Sequence, residues 1–183
     1  MFLNKDYLFT SERLGFRNWA LDDLDVLAAL CADPEVMEYF PNTLSRNETE
    51  AYIKRMQQHF KTHGYNYFAA DLKDSGELIG FIGLAYQSYE ADFLPATDIG
   101  WRLKRAAWGK GYATEGALRC LQFAFEELKL DKVVSTCVLA NTRSENVMKK
   151  IGMKRMGKYM HPKLLEHPEY APHVWYQILS DQV

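Results

Sequence analysis

The segment Trp108-Gly109-Lys110-Gly111-Tyr112-Ala113-Thr114-Glu115-Gly116 decides how this chain is read. Its glycines crowd ahead of a run in which Ala117, Leu118, Leu121, Ala124, Phe125 and Leu128 recur at helical spacing. Glycine is costly where a helix opens unless the backbone has a task there. One such task is anion binding. The first N–H groups of a helix lack internal partners, the dipole favours negative charge, and a missing Cβ lets phosphate come close. The bland alternative is a tight strand-to-helix connection, and a lone Gly-rich turn does not separate the two.

Spacing tests the owners of such a turn. A nucleotide-hydrolysing P-loop needs G-x-x-x-x-G-K-[ST], which Gly109-Lys110-Gly111 does not supply. A dinucleotide fold needs G-x-G-x-x-G and an acid ending the next strand. Thr114 stands where the third glycine belongs, Asp131 precedes the next strand, and residues 138–140 carry no acid. Both nucleotide readings fail.

Outward from the turn, residues 98–103 read as a strand with Ile99, Trp101 and Leu103 on one face and Asp98, Gly100 and Arg102 on the other. Residues 67–72 and 78–86 read as strands joined by a hairpin signal at 73–77. Upstream, residues 8–19 suggest a first strand, and 20–32 a helix stopped by Asp33-Pro34. A second helix opens at the capping box Ser45-Arg-Asn-Glu48 and ends at Gly64. Downstream, the glycine-turn helix runs to about residue 129. Strand 132–139, short helix 142–151, weak strand 154–159 and final strand 174–179 follow it. The order predicts a single α/β domain over residues 1–183, with a mixed sheet of about seven strands flanked by about four helices on both faces.

Bulk properties narrow the setting. With 183 residues, 48% hydrophobic and 25% charged, the chain suits one soluble domain. A net charge of −2 gives no field for nucleic acid or anionic lipid. No apolar run approaches the ~20 residues of a membrane span, and residues 1–10 do not read as a signal peptide. The cysteines Cys31, Cys120 and Cys137 are scattered and odd in number, which argues for reduced thiols in a cytoplasmic protein.

A second cluster, Asn141-Thr-Arg-Ser144-Glu-Asn-Val-Met148-Lys-Lys150-Ile-Gly152-Met153, follows the next strand. With the glycine turn it resembles the GNAT superfamily of acyl-CoA-dependent N-acetyltransferases. Their motifs are [QR]-x-x-G-x-[GA], matched by Gly111 and Ala113, and N-x-x-[SA]-x-x-x-x-x-K-x-G-[FM], matched by Asn141, Ser144, Lys150, Gly152 and Met153. The spelling W-G-K-G-Y-A-T-E is similar to the branch that includes ribosomal-protein alanine acetyltransferases. Asp33-Pro-Glu-Val-Met37, Tyr39-Phe40-Pro41, His161-Pro and His173-Val-Trp-Tyr176 extend that likeness over nearly the whole chain. Two positions depart from the pattern. Trp108 replaces the [QR] residue, and Met148 stands where many members carry a tyrosine general acid.

The resemblance implies acetyl-CoA as co-substrate and a primary amine as acceptor, with neither nucleic acid nor membrane as partner and a homodimer as an option. The backbone of Gly109, Lys110, Gly111, Tyr112, Ala113 and Thr114 would cradle the CoA pyrophosphate. The pantetheine arm would lie along Trp101, Arg102 and Leu103 like an added strand, with a backbone N–H near Arg102 or Leu103 serving the oxyanion. Asn141 would contact the pantetheine or thioester end. Asp98 is the implied base, against the alternative that it merely pairs with a neighbour such as Arg102 on its own face. For the acid, Ser144 is the candidate, against a helix-capping role. Tyr39, Phe40 and His173 are candidates for the acceptor wall, although core packing accounts for aromatic residues as well.

His161, His167 and His173 recur at six-residue spacing, which matches no ligand pattern of a helix or strand face, so no metal is expected. The expected activity is acetyl transfer to a primary amine by direct attack. Rivals are transfer of another acyl group, or a non-catalytic CoA-binding module that has lost the chemistry.

Overall fold

Why the chain folds as it does is clearest where its alternating strands meet its helices in the computed structural model, which describes residues 6–182. The strands are β1 (Phe9–Thr10), β2 (Leu14–Arg17), β3 (Tyr67–Leu72), β4 (Leu78–Gln87), β5 (Ala96–Leu103), β6 (Lys132–Val138), β7 (Lys154–Met160) and β8 (Pro172–Leu179). The helices are α1 (Leu24–Ala32), α2 (Arg46–His63), α3 (Tyr112–Gln122) and α4 (Thr142–Lys150). Together the strands form one eight-stranded sheet in the order β1-β2-β3-β4-β5-β6-β8-β7. Every neighbouring pair is antiparallel except β5 with β6. A single α/β domain with a mixed sheet is therefore what the element order predicted.

Side-chain alternation splits the core into layers. Leu14, Phe16, Phe68, Ile82, Leu84 and Ile99 pack with α3 through Ala117, Cys120 and Leu121. On the opposite face, Ala69, Leu78 and Phe81 meet Leu27, Leu30 and Cys31 of α1 and Ile53 of α2. In β4 the alternation slips by one residue at Gly80. There the register against β3 shifts, and a Cβ would lie 2.2 Å from the Arg102 carbonyl oxygen. This bulge turns Phe81 toward α1 and α2 and away from α3.

The ends of α2 follow from its sequence. Ser45 and Glu48 form the reciprocal capping box, and Gly64 closes the helix in the left-handed conformation. One expected strand is two. Residues 8–19 fold as the β1–β2 hairpin, because Ser11 and Arg13 in the intervening turn are drawn to Glu115 of α3. The first turn of the following helix is 3-10 (Leu21–Asp23), and the end of α3 widens into a π-helical segment, Phe123–Glu127.

Candidate active site

The β5–β6 junction organises the site. These strands share one register pair, Asp98 opposite Val134. Just beyond it, the Ser135 hydroxyl donates to the Ile99 carbonyl at 2.8 Å. Past that bridge no register pair joins the two strands, which leaves an opening in the hydrogen-bond ladder between them. The Ile99 carbonyl faces β6, whereas the Lys104 N–H donates back to Ile79 at 2.9 Å. By two-residue alternation the backbone groups of Trp101 and Leu103 face the opening and those of Arg102 face β4. Of the two expected oxyanion donors, Leu103 thus lies on the open edge. Its carbonyl is already taken by the Trp108 indole N–H at 2.7 Å.

The glycine turn adjoins this edge. Gly109 and Gly111 adopt φ of 72° and 83°, the left-handed region where a side chain is strained. Gly111 is the N-cap of α3 and offers no side-chain acceptor, so the N–H groups of Tyr112, Ala113 and Thr114 have no partner within the helix. Arg13, a residue the sequence motifs do not reveal, completes the turn. It donates to the Lys110 carbonyl at 3.0 Å and to Glu115 at 2.6 Å, and its guanidinium lies 4.5 Å from the centre of the Tyr112 ring. Arg143 sits against Trp108 in the same way, at 4.6 Å. Uncapped amides flanked by cations fit a pyrophosphate.

On the other face of β5, Asp98 Oδ1 accepts from the Tyr67 hydroxyl at 2.6 Å. Tyr67 sits on β3, two strands away. Its ring reaches across the sheet because Gly100 leaves room: a Cβ there would be 3.1 Å from the ring. Gln87 of β4 adds weaker donations to Asp98 and to the Tyr67 oxygen, at 3.4 and 3.3 Å. Burial pushes the Asp98 carboxyl up to about 7, outweighing the hydrogen bonds from Tyr67 and Gln87 that pull it down. Asp98 makes no ion pair with Arg102 among the described residues; the neighbours it pairs with are Tyr67 and Gln87. The Arg102 side chain instead meets the rings of Phe40 and Phe81.

The remaining candidates fall into two groups. Asn141 is the N-cap of α4, its side-chain oxygen accepting from the Ser144 N–H at 3.0 Å. Capping therefore belongs to Asn141, and the Ser144 hydroxyl is left beside the Cys137 thiol, which burial pushes up to about 12. Met148 is fully buried. Tyr39 is half-buried in the segment between α1 and α2 that also carries Phe40. His173 is buried in β8 and packs on Tyr159 and His161, with ring centres 5.6 and 5.0 Å away. His167 is apart from that pair, against Tyr170. Among the described residues no group of three or more His, Cys, Asp or Glu could hold a metal ion, and no helix is long and apolar enough to cross a membrane.

The mixed sheet with its interrupted β5–β6 ladder and the uncapped glycine turn after β5 belong to an acetyltransferase fold. Residues 13–154 match the acetyltransferase (GNAT) domain, and the chain belongs to that family. It is 31% identical over 132 residues to the Bacillus subtilis protein YkkB, covering 72% of this chain and 76% of that one. To the uncharacterized N-acetyltransferase YnaD of Bacillus subtilis it is 29% identical over 174 residues, 94% of this chain and 97% of the relative. A GNAT-family acetyltransferase from Bacillus anthracis superimposes with a TM-score of 0.77 at 28% identity, covering 94% and 98% of the two chains. A ribosomal-protein-S5-alanine acetyltransferase from Vibrio fischeri shares the fold, with a TM-score of 0.77 over 96% and 98% of the chains at 16% identity.

Proposed function

We propose that the chain is a cytoplasmic, single-domain N-acetyltransferase that moves the acetyl group of acetyl-CoA to a primary amine by direct attack. The observation that carries this reading is the Asp98 carboxyl, half-buried next to the β5–β6 opening and raised to about 7. A base of that strength is half ionised at neutral pH and accepts the ammonium proton as the amine nitrogen attacks the thioester carbon. Backbone N–H groups on the open edge of β5 stabilise the oxyanion. As the C–N bond forms, the C–S bond breaks, and the thiolate leaves toward the Ser144 hydroxyl, which protonates it or hydrogen-bonds to it. The amides from Gly109 to Thr114, with Arg13 nearby, hold the pyrophosphate.

The sequence likeness to the ribosomal-protein alanine acetyltransferase branch supports an acceptor amine on a protein or a small molecule. The buried Met148 favours one second reading, a CoA-binding module without turnover, because no tyrosine acid is available there. Release of free thiol from acetyl-CoA across an amine panel supports the enzyme. Tight CoA binding with no thiol released for any amine supports the module. Sedimentation tests whether the chain works as a homodimer.

A further inference from the structure

The acceptor face carries a cation that proton transfer does not use. Arg102 lies four residues beyond Asp98 on the same face of β5, a Cα separation of about 13 Å. No carboxylate pairs with it among the described residues. Its nearest polar contact is a weak one, Nη1 to the Cys31 sulfur at 3.6 Å, and its Nε is buried without any partner. Phe40 and Phe81 lie against the guanidinium, 4.1 and 5.3 Å from ring centre to Cζ. Leaving a charged donor unsatisfied away from water is costly. The same chain shows how it treats a structural arginine: Arg17 is clasped by Asp23 and Asp71, each at 2.7 Å.

A second orphan donor lies nearby. The Tyr52 hydroxyl, from α2, is buried and has no partner, and its ring stacks on Phe81 at 5.7 Å. Burial holds the Tyr52 hydroxyl well above the usual phenol range and so keeps it a donor, with Arg102 easing its ionisation and Asp98 opposing it to lesser degrees. Arg55 adds further positive charge over the Tyr52 ring, 5.7 Å from its centre. The face is therefore dipolar. It has a carboxyl at the Asp98 end and unsatisfied N–H and O–H donors, under positive charge, at the Arg102 end.

From this arrangement we infer that Arg102, assisted by Tyr52, binds a carboxylate of the acceptor, and that the acceptor is a small zwitterion such as an amino acid. The inference rests on the acetyl-transfer reading above. A guanidinium fork matches a carboxylate in bidentate fashion, and a buried donor set rejects analogues that cannot satisfy it. A polyamine would bring more positive charge toward Arg102. A protein N-terminus carries a neutral amide where the carboxylate of an amino acid would lie.

The test uses the full chain, acetyl-CoA and thiol release. Each amino acid is paired with its own carboxamide, and spermidine and a tripeptide amide complete the panel. The wild type is expected to prefer the acid in at least one pair by about 100-fold in kcat/KM. Arg102→Met should bring that ratio close to one, Arg102→Lys should retain part of it, and Tyr52→Phe should reduce it less than Arg102→Met does. CoA affinity, measured by calorimetry on each variant, serves as the fold control. Equal or better transfer to amides, spermidine or the peptide overturns the zwitterion while leaving the acetyltransferase intact. A loss in Arg102→Met that is the same for acids and amides also overturns it. Bound CoA with no thiol release from any amine overturns the acetyl-transfer reading and this inference together.

Discussion

The turn that opens α3 and the face of β5 that carries Asp98 are close in sequence and unlike in construction. The turn is a backbone device. Consecutive residues present amide N–H groups, and two glycines hold the left-handed geometry. The Asp98 face is a side-chain device assembled from β3, β4, β5 and α2, with Phe40 contributed by the segment before α2. In the proposed reaction the backbone site holds CoA, and the side-chain site sets the proton chemistry and the choice of acceptor. If this division is right, substitutions in one region should spare the property that belongs to the other.

Asp98→Asn is the strongest test. Removing a general base is expected to lower kcat/KM by about 10²- to 10⁴-fold and to abolish the rise in rate as pH passes through about 7. CoA affinity by calorimetry should stay at the wild-type value. A comparable loss of CoA binding would break the division between the two regions.

The same substitution has a consequence for stability, with its own sign. The Asp98 carboxyl titrates near 3.8 when unfolded and near 7 when folded. Below 3.8 both states hold the proton, and the native environment costs nothing extra. Between the two values the unfolded chain releases a proton that the folded one retains, so the stability contributed by this group falls as pH rises and levels off above about 7. The full gap corresponds to at most ~4 kcal/mol, and less is realised because Asp98 keeps some exposure. Asp98→Asn removes the slope, and urea titrations should show the variant gaining on the wild type from pH 4 to pH 7. A constant difference between the two proteins across that range would show that Asp98 is not held protonated by burial.

How much of each region the sequence exposed follows from that construction. The glycine turn, the Asn141 segment, the Ser45 capping box and the two faces of β5 are local patterns, and each was legible before any fold was known. The Asp98–Tyr67 contact was not, because it spans two strands and depends on Gly100 being bare so that a ring can cross. Arg13 and Tyr52 were hidden for the same reason, each reaching the site from an element remote in sequence. The phase slip at Gly80 is invisible to an alternation count, yet it sets Phe81 against Arg102. Residues 8–19 alternate well enough to read as one strand, and only the tertiary pull of Glu115 on Ser11 and Arg13 shows why the chain turns there.

On the backbone side, Gly111→Val places a β-branched residue at φ of 83°. The strain of ~1–2 kcal/mol, together with a Cβ 3.4 Å from an Arg13 guanidinium nitrogen, should weaken CoA binding by about 10- to 100-fold. The pH at which residual turnover is half-maximal should remain where the wild type has it, because Asp98 is untouched. A shift in that midpoint would mean that the turn and the carboxyl are coupled.

The finest probe of the comparison is Tyr67→Phe, which removes one hydroxyl and keeps the ring over Gly100. The Tyr67 O–H donates to Asp98 at 2.6 Å and favours the ionised carboxylate. Hydrogen bonds to charged groups are worth about 1.5–3 kcal/mol, so losing this one should move the Asp98 midpoint upward by about one to two pH units. The rate–pH curve would then be displaced to the alkaline side, costing roughly tenfold at pH 7 and little once Asp98 is fully ionised. A profile unchanged in midpoint but lowered at every pH would assign Tyr67 to packing. A midpoint moved to the acid side would mean that the hydroxyl stabilises the protonated carboxyl, with Asp98 donating to Tyr67.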